Sequence, residues 1–176
     1  MRTLRIALGV ALALLVLPAA ARAQAPSDKD LLESIGTKKD GWGPVMAKGL
    51  KAKMTPEQAG KVFPGAEKVS KFGFVDLPVE GKPGVVKLKF YFAKPKGSDK
   101  PTNLSKVTLI FDPKLTSDES FWKALVDTCQ AKYGKIKDKK QVDKKLITWV
   151  GKKFKIAQLT KFPETGGDVY QLESDL

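Results

Sequence analysis

Apolar residues along this chain recur with two periods. From Leu115 to Gly134, in LTSDESFWKALVDTCQAKYG, Phe121, Leu125 and Cys129 stand four apart, and Trp122, Val126 and Tyr133 fill the adjoining row. That spacing predicts a helix with one apolar face, and Lys123, Asp127, Gln130 and Lys132 make its polar side. Thr116 is placed to cap its start, Glu119 to reach back to the Thr116 amide, and Gly134 to close it. A second helix start is Met54-Thr55-Pro56-Glu57-Gln58. Here Thr55 caps, Pro56 takes the first helical position, Gln58 completes the box, and Ala59, Val62 and Phe63 form a short stripe ended by Pro64-Gly65.

The other period is two. Val86, Leu88, Phe90 and Phe92 alternate with Lys87, Lys89 and Tyr91, which predicts a strand with one covered face and Lys87, Lys89 and Tyr91 on the other. Residues 71–79 precede it as a strand, with Pro78 marking an edge, and residues 106–112 follow with Val107, Leu109 and Phe111 inward. Beyond the long helix, residues 146–150 and 153–159 predict a hairpin turning at Gly151-Lys152, and residues 169–172 a last short strand. The order α-β-β-β-α-β-β-β with tight connections predicts an α+β fold with a mostly antiparallel sheet. Residues 24–46 are expected to be loosely ordered, since Gly36, Gly41, Gly43 and Pro44 interrupt any helix after Ile35. The remaining 47–176 form the α+β domain. Trp42 reads either as a loop residue folded onto the domain or as an exposed contact.

Residues 1–23 change the picture of the N-terminus. Arg2 and Arg5, an apolar run over 6–17, and Ala21-Arg22-Ala23 are expected to be a secretory signal cleaved after Ala23. The expected mature chain is exported to the periplasm or medium and has no transmembrane span. It loses all three arginines and keeps 29 lysines against 19 acidic residues, a net charge of +10. Ten of those lysines lie in 132–155 beside only Asp138 and Asp143. Lysine is a hydrated point charge without the flat guanidinium that grips base edges, so sequence-specific nucleic-acid recognition is not expected. Two readings of the lysine run stand. It is a solvated loop, or Lys137, Lys139, Lys140, Lys144 and Lys145 contact anionic material such as lipid headgroups, polysaccharide or an acidic protein.

The chemistry is bounded by what is missing. There is no histidine, so the usual triads and zinc sites are not available. Cys129, the single cysteine, falls on the apolar stripe and reads as a buried thiol. Gly41-Trp42-Gly43 has no helix pattern after it to make a phosphate loop. Asp118 with Glu119 belongs to a helix start, and Glu173 with Asp175 to what reads as a fraying tail. No catalytic residue, metal ligand or cofactor site is assigned.

Leu115-Thr116-Ser117-Asp118-Glu119 echoes Met54-Thr55-Pro56-Glu57-Gln58, and each precedes a helix and three strands. The echo is either a duplication of modules 54–112 and 115–173 or a coincidence of common capping boxes. A helix-then-sheet module opened by Met-Thr-x-Glu-Gln resembles small exported bacterial modules, those of outer-membrane assembly lipoproteins and of tandem beta-lactamase inhibitor proteins. The resemblance implies a non-catalytic protein that binds another protein through an open sheet face. This chain lacks the lipid-bearing and paired cysteines of those modules. The expected partner is thus an unidentified protein or an anionic envelope component.

Overall fold

The computed structural model describes residues 25–164 and 167–176, so the expected signal segment lies outside the described residues. Four helices, α1 (Asp28–Ile35), α2 (Pro56–Val62), α3 (Glu119–Tyr133) and α4 (Lys140–Asp143), accompany six strands. The strands are β1 (Phe74–Pro78), β2 (Val85–Ala93), β3 (Asn103–Phe111), β4 (Leu146–Val150), β5 (Ile156–Glu164) and β6 (Gly167–Asp175). All pairings are antiparallel in one sheet of order β1-β2-β3-β6-β5-β4, an α+β fold. Each half thus reads outward from the β3–β6 junction as third, second, first strand. Among the described residues no helix is long and apolar enough to cross a membrane.

Of the segment 24–46, expected to be loosely ordered, the described residues 25–46 instead form α1 and contribute side chains to the core. Ser27 accepts from the Asp30 amide while Asp30 accepts from the Ser27 amide and hydroxyl, so α1 begins with a complete capping box. Leu31 and Ile35 are fully buried, each worth about 1.5–3 kcal/mol of apolar burial. The glycines that stop α1 turn the chain without leaving it unpacked. Trp42 packs its ring 5.0 Å from Tyr133, and Tyr133 lies 5.5 Å from Trp149.

α3 buries Phe121, Trp122, Leu125, Val126 and Cys129 as its spacing predicts. Its start is different. Pro113 begins a short 3-10 turn capped by Asp112, which leaves Thr116 in helical backbone with its hydroxyl donating to the Pro113 carbonyl. Asp118 therefore caps α3, accepting from the Ser120 and Phe121 amides. Lys132, expected on the polar side, is only 4% exposed and donates to the Thr37 carbonyl, because the segment after α1 covers it. α2 is capped by Thr55 and Gln58 as expected, yet of its stripe Val62 is exposed and only Ala59 is fully buried. The last strand is also longer than its apolar run. β6 is held between β3 and β5 through Asp175, so Glu173 and Asp175 lie in the sheet rather than in a fraying tail.

Candidate functional site

α2 and α3 pack on one face of the sheet, α1 packs on α3, and α4 lies beside the β4 edge. That face carries Leu88, Phe90, Val107, Leu109, Leu159, Tyr170 and Leu172, all in the core. The register puts the alternate residues on the opposite, helix-free face: Phe74 and Asp76 of β1 beside Tyr91 and Lys89 of β2, then Lys106 and Thr108 of β3. Glu173 and Gln171 of β6 follow, then Gln158 and Thr160 of β5, and Leu146, Thr148 and Val150 of β4.

On the β1–β2 side this face is closed by its own charges. Glu164, at the last described rung of β5, lies 3.4 Å from both Lys87 and Lys89, and accepts from the Gln171 side chain at 3.2 Å. Asp76 pairs with the same two lysines at 3.6 and 3.8 Å. Since β6 and β3 separate β5 from β2, the β5–β6 hairpin must curl across the face to make these contacts. Ile110, Val169 and Thr108 are buried beneath it. Lys106 and Glu173 pair at 2.7 Å, which raises the Lys106 pKa. Of the residues expected to offer a contact surface here, Lys87 and Lys89 are engaged inside the protein. Tyr91 is half-buried, and loss of solvent raises its phenol pKa.

The β4–β5 side differs. Val150 and Ile156 are direct cross-strand neighbours, Val150 being 67% exposed. Leu146 stands opposite Thr160, one step diagonally from Phe162, and both apolar residues are exposed. Between the two apolar pairs the Gln158 amide donates to the Thr148 hydroxyl. This makes an apolar strip with a polar waist along the sheet edge. Edge strands carry unpaired backbone groups, and here the Thr148 amide is taken by the Gln141 side chain of α4.

The expected lysine contacts separate. Lys137, Lys139, Lys140 and Lys144 are exposed, and Lys140 and Lys144 share a groove of about 280 Å³ with Leu146 and Thr148. Lys145 is not with them. Its ammonium ion-pairs with Glu119 at 2.6 Å and lies 4.8 Å over the Trp122 ring, so the connection after α3 folds it onto that helix. Trp122 has a buried indole N–H without a partner among the described residues.

The β4–β5 turn is the most exposed apolar feature. Phe154 is 88% exposed, and both Lys153 (φ 57°) and Phe154 (φ 60°) hold left-handed backbone. Side chains disfavour that conformation by about 1–2 kcal/mol per residue. Gly151 begins the turn where a Cβ would lie 2.5 Å from the Trp42 ring, and the Trp42 indole donates to the Ile156 carbonyl. Beside Trp42 a groove of about 690 Å³ is lined by Lys39, Lys48, Lys51 and Lys155, with Asp40 and Leu176 also on its wall. Bonds from the Thr37 amide and hydroxyl hold the Asp40 carboxyl below its usual range. The sequence marked the lysine run but missed this groove, because Lys39 lies in a segment expected to be loose and Lys48 and Lys51 are scattered lysines that only the fold brings beside Lys155.

Carboxylates and thiol are placed for structure. Asp118 caps α3, Glu119 binds Lys145, Glu173 binds Lys106, and Asp175 accepts from the Ile156 amide. Cys129 is fully buried, and desolvation pushes its thiol pKa far up. Among the described residues no group of three or more His, Cys, Asp or Glu is placed to hold a metal. Comparison with protein-family models, with curated proteins and with solved structures finds no match.

Proposed function

We propose that this chain is an exported, non-catalytic binding protein that holds another protein on the β4–β5 side of its helix-free sheet face. The observation that carries the reading is the strip of Leu146, Val150, Ile156 and Phe162, exposed together on one face and bordered by α4 at the β4 edge. Contiguous apolar surface of this kind, rimmed by polar groups, marks interaction sites. Lys137, Lys140 and Lys144 border it, so the partner has an apolar centre and an acidic margin. The acidic clusters that stand out in the sequence, Asp118 with Glu119 and Glu173 with Asp175, serve caps, ion pairs and the sheet, and Cys129 is in the core, which supports a non-catalytic reading. The strand order, mirrored about the β3–β6 junction, supports reading 54–112 and 115–173 as paired modules of the inhibitor-like kind.

A photo-reactive residue at position 150, compared with one at position 123 on the outer side of α3, tests the site in the producing cell. Crosslinks to one acidic partner from 150 alone, abolished by Leu146→Asp with Phe162→Asp, are expected. Equal crosslinks from both positions, or from neither, overturn it. The intact mass of the purified protein should lack residues 1–23, and a mass retaining them removes the export part of the reading.

A further inference from the structure

We propose that the Gly151–Lys155 turn and the lysine-lined groove beside it form a second contact surface, which docks on an anionic phospholipid bilayer. It adjoins the Val150–Ile156 end of the protein-binding strip but uses other residues, and three observations converge on it. The first is that Phe154 projects from the turn almost wholly exposed, with its backbone in the left-handed region. A glycine would relax that conformation, so a large aromatic side chain there is kept against local preference.

The second is charge. Lys152, Lys153 and Lys155 surround Phe154, and none of them forms an ion pair among the described residues. The third is placement. Trp42 forms a wall between the turn and the groove, and the groove adds Lys39, Lys48 and Lys51 on the same end of the molecule. The result is one exposed aromatic ring among Lys152, Lys153 and Lys155, beside a Trp42-walled groove that adds Lys39, Lys48 and Lys51 and also carries Asp40.

An acidic protein could satisfy the charges, but a single wedge offers it little apolar area. A bilayer matches both parts. Its headgroup phosphates form a diffuse anionic plane suited to lysine point charges, and its interface accepts one aromatic ring at the acyl boundary. Lysine stems can lie along that interface while their ammonium groups stay at the phosphates. No helix insertion is required, in keeping with the lack of a spanning helix among the described residues.

Co-sedimentation of the full chain, as its host processes it, tests the proposal. The vesicles are phosphatidylglycerol with phosphatidylcholine in about equal parts, against phosphatidylcholine alone, at low and raised salt. Binding only to the anionic vesicles, weakened by salt, is expected. Phe154→Gly should lose about tenfold or more in affinity, as expected for removing a buried aromatic ring, while raising the thermal midpoint. Lys39→Glu with Lys48→Glu and Lys51→Glu should abolish binding with the fold retained by circular dichroism. Leu146→Asp with Phe162→Asp, which removes the protein-binding strip, should leave vesicle binding intact. Equal binding to neutral vesicles, or unchanged binding by Phe154→Gly, overturns the proposal. Soluble polyglutamate displacing the vesicles without any dependence on Phe154 would assign the surface to an acidic chain instead, which also overturns it.

Discussion

On the β1–β2 side of the sheet face, Asp76, Lys87, Lys89 and Glu164 neutralise one another; on the β4–β5 side, Leu146, Val150, Ile156 and Phe162 are exposed. Both sides are antiparallel pairs at the ends of one sheet, so strand pairing alone does not explain the contrast. What differs is whether another part of the same chain returns to cover the surface. Glu164, reaching from the last described rung of β5, closes the first side. Nothing among the described residues covers the second. A surface whose polar groups are already paired has little left to offer a partner, whereas exposed apolar groups have burial free energy still to gain.

The largest effect should separate the core from the strip. Leu125→Ala, at a fully buried position under the β4–β5 side, should cost about 2–5 kcal/mol through the cavity it leaves. Val150→Ala should stay within about 0.5 kcal/mol, because its side chain already faces solvent. Urea midpoints compare them, and a matching loss for Val150→Ala would mean the strip serves the fold. Next comes the paired side. Glu164→Ala leaves Lys87 and Lys89 with Asp76 as their remaining partner and strands Gln171, and should cost about 1.5–3 kcal/mol, less at high salt. The same measurement on Lys137→Ala, an exposed lysine bordering the strip, should show almost no change. If Glu164→Ala is equally silent, the distinction between the sides fails.

The helices behind the sheet give a smaller contrast. Thr55→Ala at α2 and Asp118→Ala at α3 should each cost about 1 kcal/mol by removing a cap. Thr116→Ala should cost less, since its hydroxyl only donates to Pro113. Thermal midpoints ordered the other way would return the cap to Thr116.

The last effect is absent at neutral pH. All three tyrosines have raised pKa values through burial, with Tyr170 pushed up to about 12. The unfolded phenol titrates near 10. Stability from these protonated phenols is therefore complete below about pH 10 and is lost as pH rises towards 12. Lys132 acts with the opposite sign. Burial lowers its pKa, so stability rises with pH between that value and the unfolded value of about 10.4. Near-ultraviolet absorbance during alkaline titration should show no phenolate midpoint at or below 10 while the protein remains folded. A normal midpoint would place a tyrosine outside the core, and on the paired side that tyrosine would be Tyr91.

Periodicity alone determined much of this protein. The period of four predicted the buried stripe of α3, the period of two assigned Leu88, Phe90, Lys87 and Lys89 to their faces, and Thr55-Pro56 marked the start of α2. These succeed because the side on which a residue points is set by local backbone geometry. Composition likewise excluded histidine chemistry without reference to any contact. Only the tertiary structure decided which charges remain free. Glu164 meets Lys87 across 77 residues of sequence, and Lys132 meets Thr37 across 95. Lys145 and Lys144 are adjacent in sequence, yet one lies on Trp122 and the other in solvent. A charged side chain finds a partner or water according to which distant segment packs beside it. Spacing along the chain holds no record of that encounter.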